Sequence, residues 1–133
     1  MNNDGRGIGR KLLVLLGAVS AAGGTHAAAA QDTPGAPASP IEYEGWRQYM
    51  VHCARCHGDD AVGGIMAPDL RASVARGVID SVSFPAVVSA GRRGKGMPSF
   101  KDVLTDEQIA RIFAYLVARV TGHLSSGRPR TAP

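Results

Sequence analysis

The sequence predicts a small all-α domain. Two stretches combine helix-start signals with apolar residues at helical spacing, and no stretch shows a convincing β-strand pattern. Ser39-Pro40-Ile41-Glu42 joins an N-cap serine, a proline at the first helical position and a glutamate that completes a capping box. Thr105 and Gln108 repeat this signal near the C-terminus. A buried stripe is expected to follow, formed by Ile109, Ile112, Phe113, Leu116 and Val120.

Four segments are expected along the chain. Residues 1–30 are typical of a secretory signal peptide, with basic residues, the apolar run 12–19 and alanines at 27–30. That run is shorter than the ~20 residues that span a bilayer, so no stable membrane insertion is expected after signal cleavage. Residues 31–40 are predicted to form a flexible N-terminal segment, 41–121 the folded domain and 122–133 a loose tail.

The charge balance gives little indication of the partners. The formal net charge is +4, but Arg6, Arg10 and Lys11 lie in the predicted signal peptide. The remaining chain is close to neutral, which gives no sign of nucleic-acid binding. Its length, about 100 residues, suffices for one small domain.

The predicted helices leave one long loop near the end of the domain. The first helix places Trp46, Tyr49, Met50 and Cys53 on one face and is stopped by Gly58. A short helix is expected at about 70–75, and another at 85–90 with a glycine stop at position 91. Residues 91–100 then form a loop rich in glycine and basic residues.

The stretch Cys53-Ala54-Arg55-Cys56-His57 is the attachment motif of a c-type haem. On a helical turn the two sulfurs project to one side, where each can bond the porphyrin, while the adjacent imidazole faces the iron. A structural zinc site would need four Cys or His ligands, and a redox disulfide is expected in a βαβ unit. The motif therefore predicts one covalent haem c and, because bacteria attach such haem outside the inner membrane, a periplasmic location.

Three methionines are candidates for the second iron ligand opposite His57. Met50 lies on the first helix at core spacing, and Met66 follows the motif too closely to build a second wall around the porphyrin. Met97 lies farther along, in a loop stiffened by Pro98. A methionine thioether suits this position because it favours ferrous iron. The distance of Met97 from the motif makes it the preferred candidate, and Met66 is the next.

The mature domain resembles the small class I c-type cytochromes, whose haem has a His/Met ligand pair. Gly45, Tyr49 and Cys53, at spacings of four, resemble the first helix of that family. Ala67-Pro68-Asp69-Leu70 resembles its loop after the haem motif, and Gly96-Met97-Pro98-Ser99-Phe100 its methionine loop. The resemblance implies three to five helices wrapped around one covalently bound haem.

The resemblance also implies roles for individual residues. The carbonyl group of Pro68 should accept the ring N–H of His57 and so orient the ligand. Tyr115 should pack on the Gly45 region. The implied cofactor-binding residues are Cys53, Cys56, His57, Pro68, Leu70 and Met97, of which His57 and Met97 bind the iron.

A narrower resemblance concerns the electron donor. The segments Leu104-Thr105-Asp106-Glu107-Gln108-Ile109, Gly122-His123-Leu124 and Gly127-Arg128-Pro129 are similar to cytochromes that serve PQQ-dependent alcohol dehydrogenases. This resemblance implies such a dehydrogenase as donor and an oxidase or another cytochrome as acceptor.

The expected function is that of a soluble periplasmic carrier of single electrons, not of an enzyme. An iron with both axial positions filled has no place for a substrate. Two alternatives remain: a haem subunit of a dehydrogenase complex, and a haem enzyme or gas sensor with an open distal site. A basic rim of Arg92, Arg93 and Lys95 is a candidate steering surface for the partner.

Overall fold

The computed structural model describes residues 35–133, so the predicted signal peptide and residues 31–34 lie outside the described part. The described residues form five α-helices and a single 3-10 turn, with no β-strand among them. The all-α prediction is confirmed. The elements are α1 (Pro40–His52), α2 (Ala54–His57), α3 (Leu70–Ala75), α4 (Ser83–Ala90), the 3-10 turn (Arg93–Lys95) and α5 (Asp106–Val120). Over residues 35–133, no helix has the length and apolar character needed to cross a membrane.

Both predicted capping boxes are present. The Glu42 backbone N–H donates to Ser39 Oγ over 3.3 Å, and the Ser39 N–H donates to the Glu42 carboxylate over 2.8 Å. At the start of α5, the Gln108 N–H donates to Thr105 Oγ1 over 3.2 Å and Gln108 accepts the Thr105 N–H at 2.9 Å. Each box satisfies two backbone donors that a helix N-terminus leaves free, so the starts of α1 and α5 are fixed locally.

The core is built mainly on the packing of α1 against α5. Gly45 lies against the backbone of Arg111, so the two helices approach without an intervening side chain. The rings of Tyr49 and Tyr115 pack with centroids 5.2 Å apart. Tyr115, which the resemblance places against the Gly45 region, thus packs on Tyr49, one helical turn beyond Gly45.

The two short helices fall close to their predicted positions. The helix α3 covers the predicted residues 70–75, and its N-cap Asp69 accepts the Ala72 N–H at 2.7 Å. The helix α4 begins two residues before the predicted start. Asp80 accounts for this earlier start, because its carboxylate accepts the Ser83 N–H at 2.7 Å. Hydrogen bonds from Ser83 and Val82 lower the pKa of Asp80, which favours the charged carboxylate.

The C-terminal segment is packed against the domain rather than loose, which corrects the prediction for residues 122–133. Leu124 and Pro129 are buried. The segment runs beside the residues before α1: the Ala38 N–H donates to the Arg130 carbonyl over 2.8 Å, and Arg130 donates to the Gly35 carbonyl over 2.7 Å. Residues 35–39 are held by the same pairing.

An arginine of this segment also reaches α1. Arg128 donates to the hydroxyl of Tyr43 over 2.8 Å and lies over the ring of Trp46, 5.6 Å from its centroid. Glycine, serine, proline and arginine suggest a loose tail because they offer little apolar surface. The partners of Arg128 lie in α1, more than eighty positions earlier, and no local pattern indicates them.

Candidate haem site

The two cysteines lie at the break between α1 and α2. Cys53 is the last cap of α1, and its N–H donates to the Tyr49 carbonyl over 2.8 Å. The chain then turns back, so that the N–H groups of Cys56 and His57 both donate to the Cys53 carbonyl, over 3.1 and 3.0 Å. Cys53 is half-buried, Cys56 is exposed, and no disulfide joins them. This compact turn brings together the three residues of the predicted attachment motif.

The orientation of His57 is fixed by the loop that follows the motif. Its Nδ1 atom lies 2.9 Å from the carbonyl oxygen of Pro68. Because a carbonyl can only accept, Nδ1 carries the hydrogen of this bond. The Nε2 atom is then the ring nitrogen available to a metal, and the bond increases its basicity. The hydrogen bond that the sequence resemblance implied is thus present.

The donor set of this turn fits a covalent haem better than zinc or a redox disulfide. Across residues 35–133, no group of three or more His, Cys, Asp or Glu side chains is placed to hold a metal ion by itself. Burial, with a smaller contribution from the charge of Cys56, raises the pKa of Cys53 to about 12. Reactive thiols have a lowered pKa, so the raised pKa of Cys53 does not favour a redox disulfide at this turn.

The residues directly after His57 are anchored by two buried tyrosines of the core. The hydroxyl of Tyr49 donates to the Gly58 carbonyl over 2.6 Å, and that of Tyr115 donates to the Asp59 carbonyl over 3.4 Å. Burial raises the pKa of both hydroxyls, so they remain protonated donors at neutral pH. The helices α1 and α5 therefore hold the backbone behind the ligand.

Asp60 and Arg119 extend this anchoring, and the sequence prediction missed both. The Arg119 side chain is only 1% exposed, and its Nη2 lies 3.2 Å from Asp60 Oδ1. Arg119 also donates to the Tyr115 hydroxyl over 3.2 Å and to the Gly127 carbonyl. The Gly127 N–H donates to the Asp60 carboxylate over 2.8 Å. One signal was available: Arg119 lies four residues after Tyr115, on the same helical face.

Met97 lies in a closed loop. The N–H of Arg92 donates to the Met97 carbonyl over 2.9 Å, and the N–H of Met97 donates to the Arg92 carbonyl over 3.2 Å. The 3-10 turn fills the space between them, and Gly96 has the left-handed φ of 81° that closes the loop. The side chain of Met97 is half-buried against the core, whereas the basic side chains of the turn are exposed.

The methionine loop is attached to the end of α4. Gly91, with φ of 71°, lies against the carbonyl group of Pro98, and a side chain at position 91 would overlap it. The Ser99 hydroxyl donates to the Ser89 carbonyl over 2.6 Å. The Phe100 N–H donates to the Val88 carbonyl over 3.1 Å. These contacts fix the position of Met97 relative to the core.

Leu70 and the three candidate methionines differ in how far they are buried. Leu70, Met97 and Cys53 pack on the same hydrophobic core. Met50 is also half-buried on that core, whereas Met66 is 76% exposed. No contact in the structure tests Met97 or Leu70 as a haem neighbour, so both assignments stay predictions.

The fold and the attachment turn define a c-type cytochrome. Residues 42–116 match the family model described as cytochrome C oxidase, cbb3-type, subunit III. The chain belongs to this cytochrome family. It carries a covalently bound haem c, and its role is electron transfer.

Similar proteins include both cytochromes and alcohol dehydrogenases. The quinohemoprotein alcohol dehydrogenase ADH-IIG of Pseudomonas putida is 39% identical over 93 residues, which are 66% of this chain and 12% of that protein. Cytochrome c-553I of Paracoccus denitrificans is 38% identical over 96 residues, covering 65% of this chain and 41% of that protein. The c-type cytochrome XoxG of Methylobacterium extorquens AM1 aligns with a TM-score of 0.59 at 28% identity, over 71% of this chain and 60% of that chain. The chain thus spans less than half of these two curated relatives.

Proposed function

We propose that this cytochrome carries single electrons from a PQQ-dependent alcohol dehydrogenase to the respiratory chain, where an oxidase or another cytochrome accepts them. The observation that carries the proposal is the attachment turn, in which His57 is locked by its 2.9 Å contact with the Pro68 carbonyl. A ligand held in this way suits a cofactor whose surroundings should change little between its oxidised and reduced states.

The chain's own residues have defined roles in this proposal. Cys53 and Cys56 would hold the haem through thioether bonds, and His57 Nε2 and the Met97 sulfur would be the iron ligands. Leu70 would contact the porphyrin. When bound, the haem supplies a one-electron couple. With His57 and Met97 both bound, the iron would offer no position for a substrate, so the proposed role is that of a carrier and not of an enzyme.

Support for the donor comes from the similar proteins. Several are named as quinohemoprotein or quinone alcohol dehydrogenases, and this chain matches 10–12% of their length. A segment of this kind therefore belongs to dehydrogenases that use a quinone. The same observation favours a second candidate, a permanent haem subunit of a dehydrogenase complex. Size-exclusion chromatography of the mixed proteins separates the two, because a carrier elutes alone and a subunit co-elutes.

The periplasm is the proposed location. Bacterial c-type haem is attached beyond the inner membrane, and the N-terminal thirty residues have the composition of a secretory signal. Cell fractionation tests this: the haem-stained protein should be released with the periplasmic fraction and stay out of the washed membranes.

Stopped-flow reduction tests the donor directly. The cytochrome should be reduced by a PQQ-dependent alcohol dehydrogenase and its alcohol, and the rate should fall as salt screens the basic rim. Reversing Arg92, Arg93 and Lys95 to glutamate should slow association about tenfold without changing the optical spectrum. Arg76→Glu, at an exposed arginine after α3, is the control for a charge reversal outside the basic rim.

Two outcomes separate the parts of this proposal. If reduction is fast but indifferent to salt and to the reversals, the basic rim does not steer the donor. If the dehydrogenase fails to reduce the cytochrome under any condition, this class of donor is wrong and only the general carrier role remains.

A further inference from the structure

Three consecutive residues behind the proximal ligand are each held by a buried side chain. Gly58 and Asp59 are held at their carbonyl groups by tyrosines, which are uncharged. Asp60 differs, because its carboxylate is held by the guanidinium of Arg119. The carboxylate of this ion pair therefore lies three positions after His57, the proposed iron ligand.

The two charges of the pair are unequally exposed. The Arg119 side chain is 1% exposed and that of Asp60 is 26% exposed, so water screens the carboxylate better than the guanidinium. Arg119 Nη1 has no hydrogen-bond partner in the structure. The positive charge of Arg119 thus depends on Asp60 for most of its compensation.

The C-terminal segment keeps the pair together. Gly127 binds both members, since its N–H donates to Asp60 over 2.8 Å and its carbonyl accepts from Arg119. A carboxylate bound by two separate donors is fixed in place, and so is its distance from the guanidinium.

We propose that the Asp60–Arg119 ion pair sets the reduction potential of the haem, with Arg119 as a positioning residue and as the buried charge that Asp60 compensates. The inference rests on the proposed function only in requiring iron at His57. It does not depend on which protein donates the electron.

The direction of each effect follows from electrostatics. Reduction removes one positive charge from the iron, so an uncompensated cation nearby favours the reduced form. Three residues of chain span at most about 11 Å, which bounds the separation of the Asp60 and His57 backbones. At that range two charges in a protein interior still interact, at an effective dielectric constant of about 20.

Potentiometric titration of the holoprotein with chemical mediators measures the effect. Asp60→Asn keeps the oxygen that accepts the Gly127 N–H but leaves Arg119 uncompensated, so the potential should rise. Arg119→Met leaves the carboxylate uncompensated, so the potential should fall. The equilibrium constant with a mediator should change about threefold to tenfold for Asp60→Asn.

The double variant distinguishes charge from disruption. Asp60→Asn with Arg119→Met removes both charges, and its potential should return close to that of the wild type. Asp102→Asn, at an exposed carboxylate, is the matched control and should leave the potential unchanged. Loss of structure alone would move both single variants in the same direction and leave the double variant displaced.

Two results would overturn the inference: single variants that shift the potential in the same direction, or single variants that leave it unchanged. If Arg119→Met fails to incorporate haem, Asp60→Asn decides alone, and a potential that falls or stays constant contradicts the proposal. These titrations use no dehydrogenase, so a failed donor assignment and a failed ion-pair assignment give different results.

Discussion

Gly45 in α1 lies directly on the carbonyl oxygen of Arg111 in α5, and no side chain fits between them. This contact sets the closest approach of the two helices that form most of the core. One turn farther along α1, Tyr49 and Tyr115 pack together and hold the backbone behind His57. The crossing of α1 and α5 therefore positions the haem ligand.

A methyl group at this crossing should destabilise the fold. Gly45→Ala would force the helices apart, and we expect it to lower the free energy of unfolding by ~1–3 kcal/mol. Urea denaturation of the holoprotein, followed by far-ultraviolet circular dichroism, measures the change. Gly94→Ala is the matched control, since a Cβ there has nothing within 4 Å. Equal midpoints for the two variants would contradict the close crossing.

The packed C-terminal segment should contribute to stability. Removing residues 123–133 exposes the pocket of Leu124 and takes Gly127 from Arg119 and Asp60. We expect a loss of ~3 kcal/mol or more, from lost apolar burial and unpaired polar groups. Removing only the exposed residues 132–133 is the control. Coincident thermal unfolding curves for the two truncations would show that the segment is loose after all.

Alkaline pH should destabilise the protein through its buried tyrosines. Burial raises the pKa of Tyr49 well above its ordinary value of about 10. Above pH ~10 the unfolded chain loses the proton of the Tyr49 hydroxyl, whereas the folded protein keeps it. The free energy of unfolding therefore falls as the pH rises, by ~1.4 kcal/mol per pH unit per tyrosine. Chemical denaturation between pH 8 and 11 should show a shallower fall for Tyr49→Phe. An unchanged slope would contradict the burial of this hydroxyl.

Local signals predicted the helices well. The boxes at Ser39 and Thr105 involve residues three positions apart, so the sequence contains both partners of each hydrogen bond. The attachment motif is equally local, because Cys53, Cys56 and His57 occupy a single turn. Such features depend little on the rest of the fold.

Features with distant partners were predicted poorly. The pair of Asp60 and Arg119 joins positions far apart in the chain, and neither residue stands out in its own surroundings. The C-terminal segment was expected to be loose for the same reason, since Arg128 finds Tyr43 only after α1 has folded. The composition of the C-terminal segment indicates how little apolar surface it offers, but it does not indicate which distant residues will contact the segment in the fold.

Covalent attachment of the haem has a simple test. Thioether bonds survive unfolding, so the protein should keep peroxidase-active haem on a denaturing gel. Replacing Cys53 and Cys56 together with alanine should remove the stain and leave a poorly folded chain, because the haem supplies much of the apolar body around which a small domain folds. Haem that leaves the wild-type protein intact in acidic organic solvent would contradict covalent attachment.

Whether Met97 occupies the second axial position decides between a carrier and a haem protein with an open site. The most direct measurement is the optical spectrum of the oxidised protein together with CO binding by the reduced protein, for the wild type and for Met97→Ala. The wild type should show the weak red band of sulfur–iron charge transfer and resist CO, whereas Met97→Ala should lose the band, bind CO and have a lower potential. Met66→Ala, at an exposed methionine, is the matched control and should behave as the wild type. Rapid CO binding by the wild type, or a Met97→Ala spectrum identical to it, would contradict the His57/Met97 ligand pair.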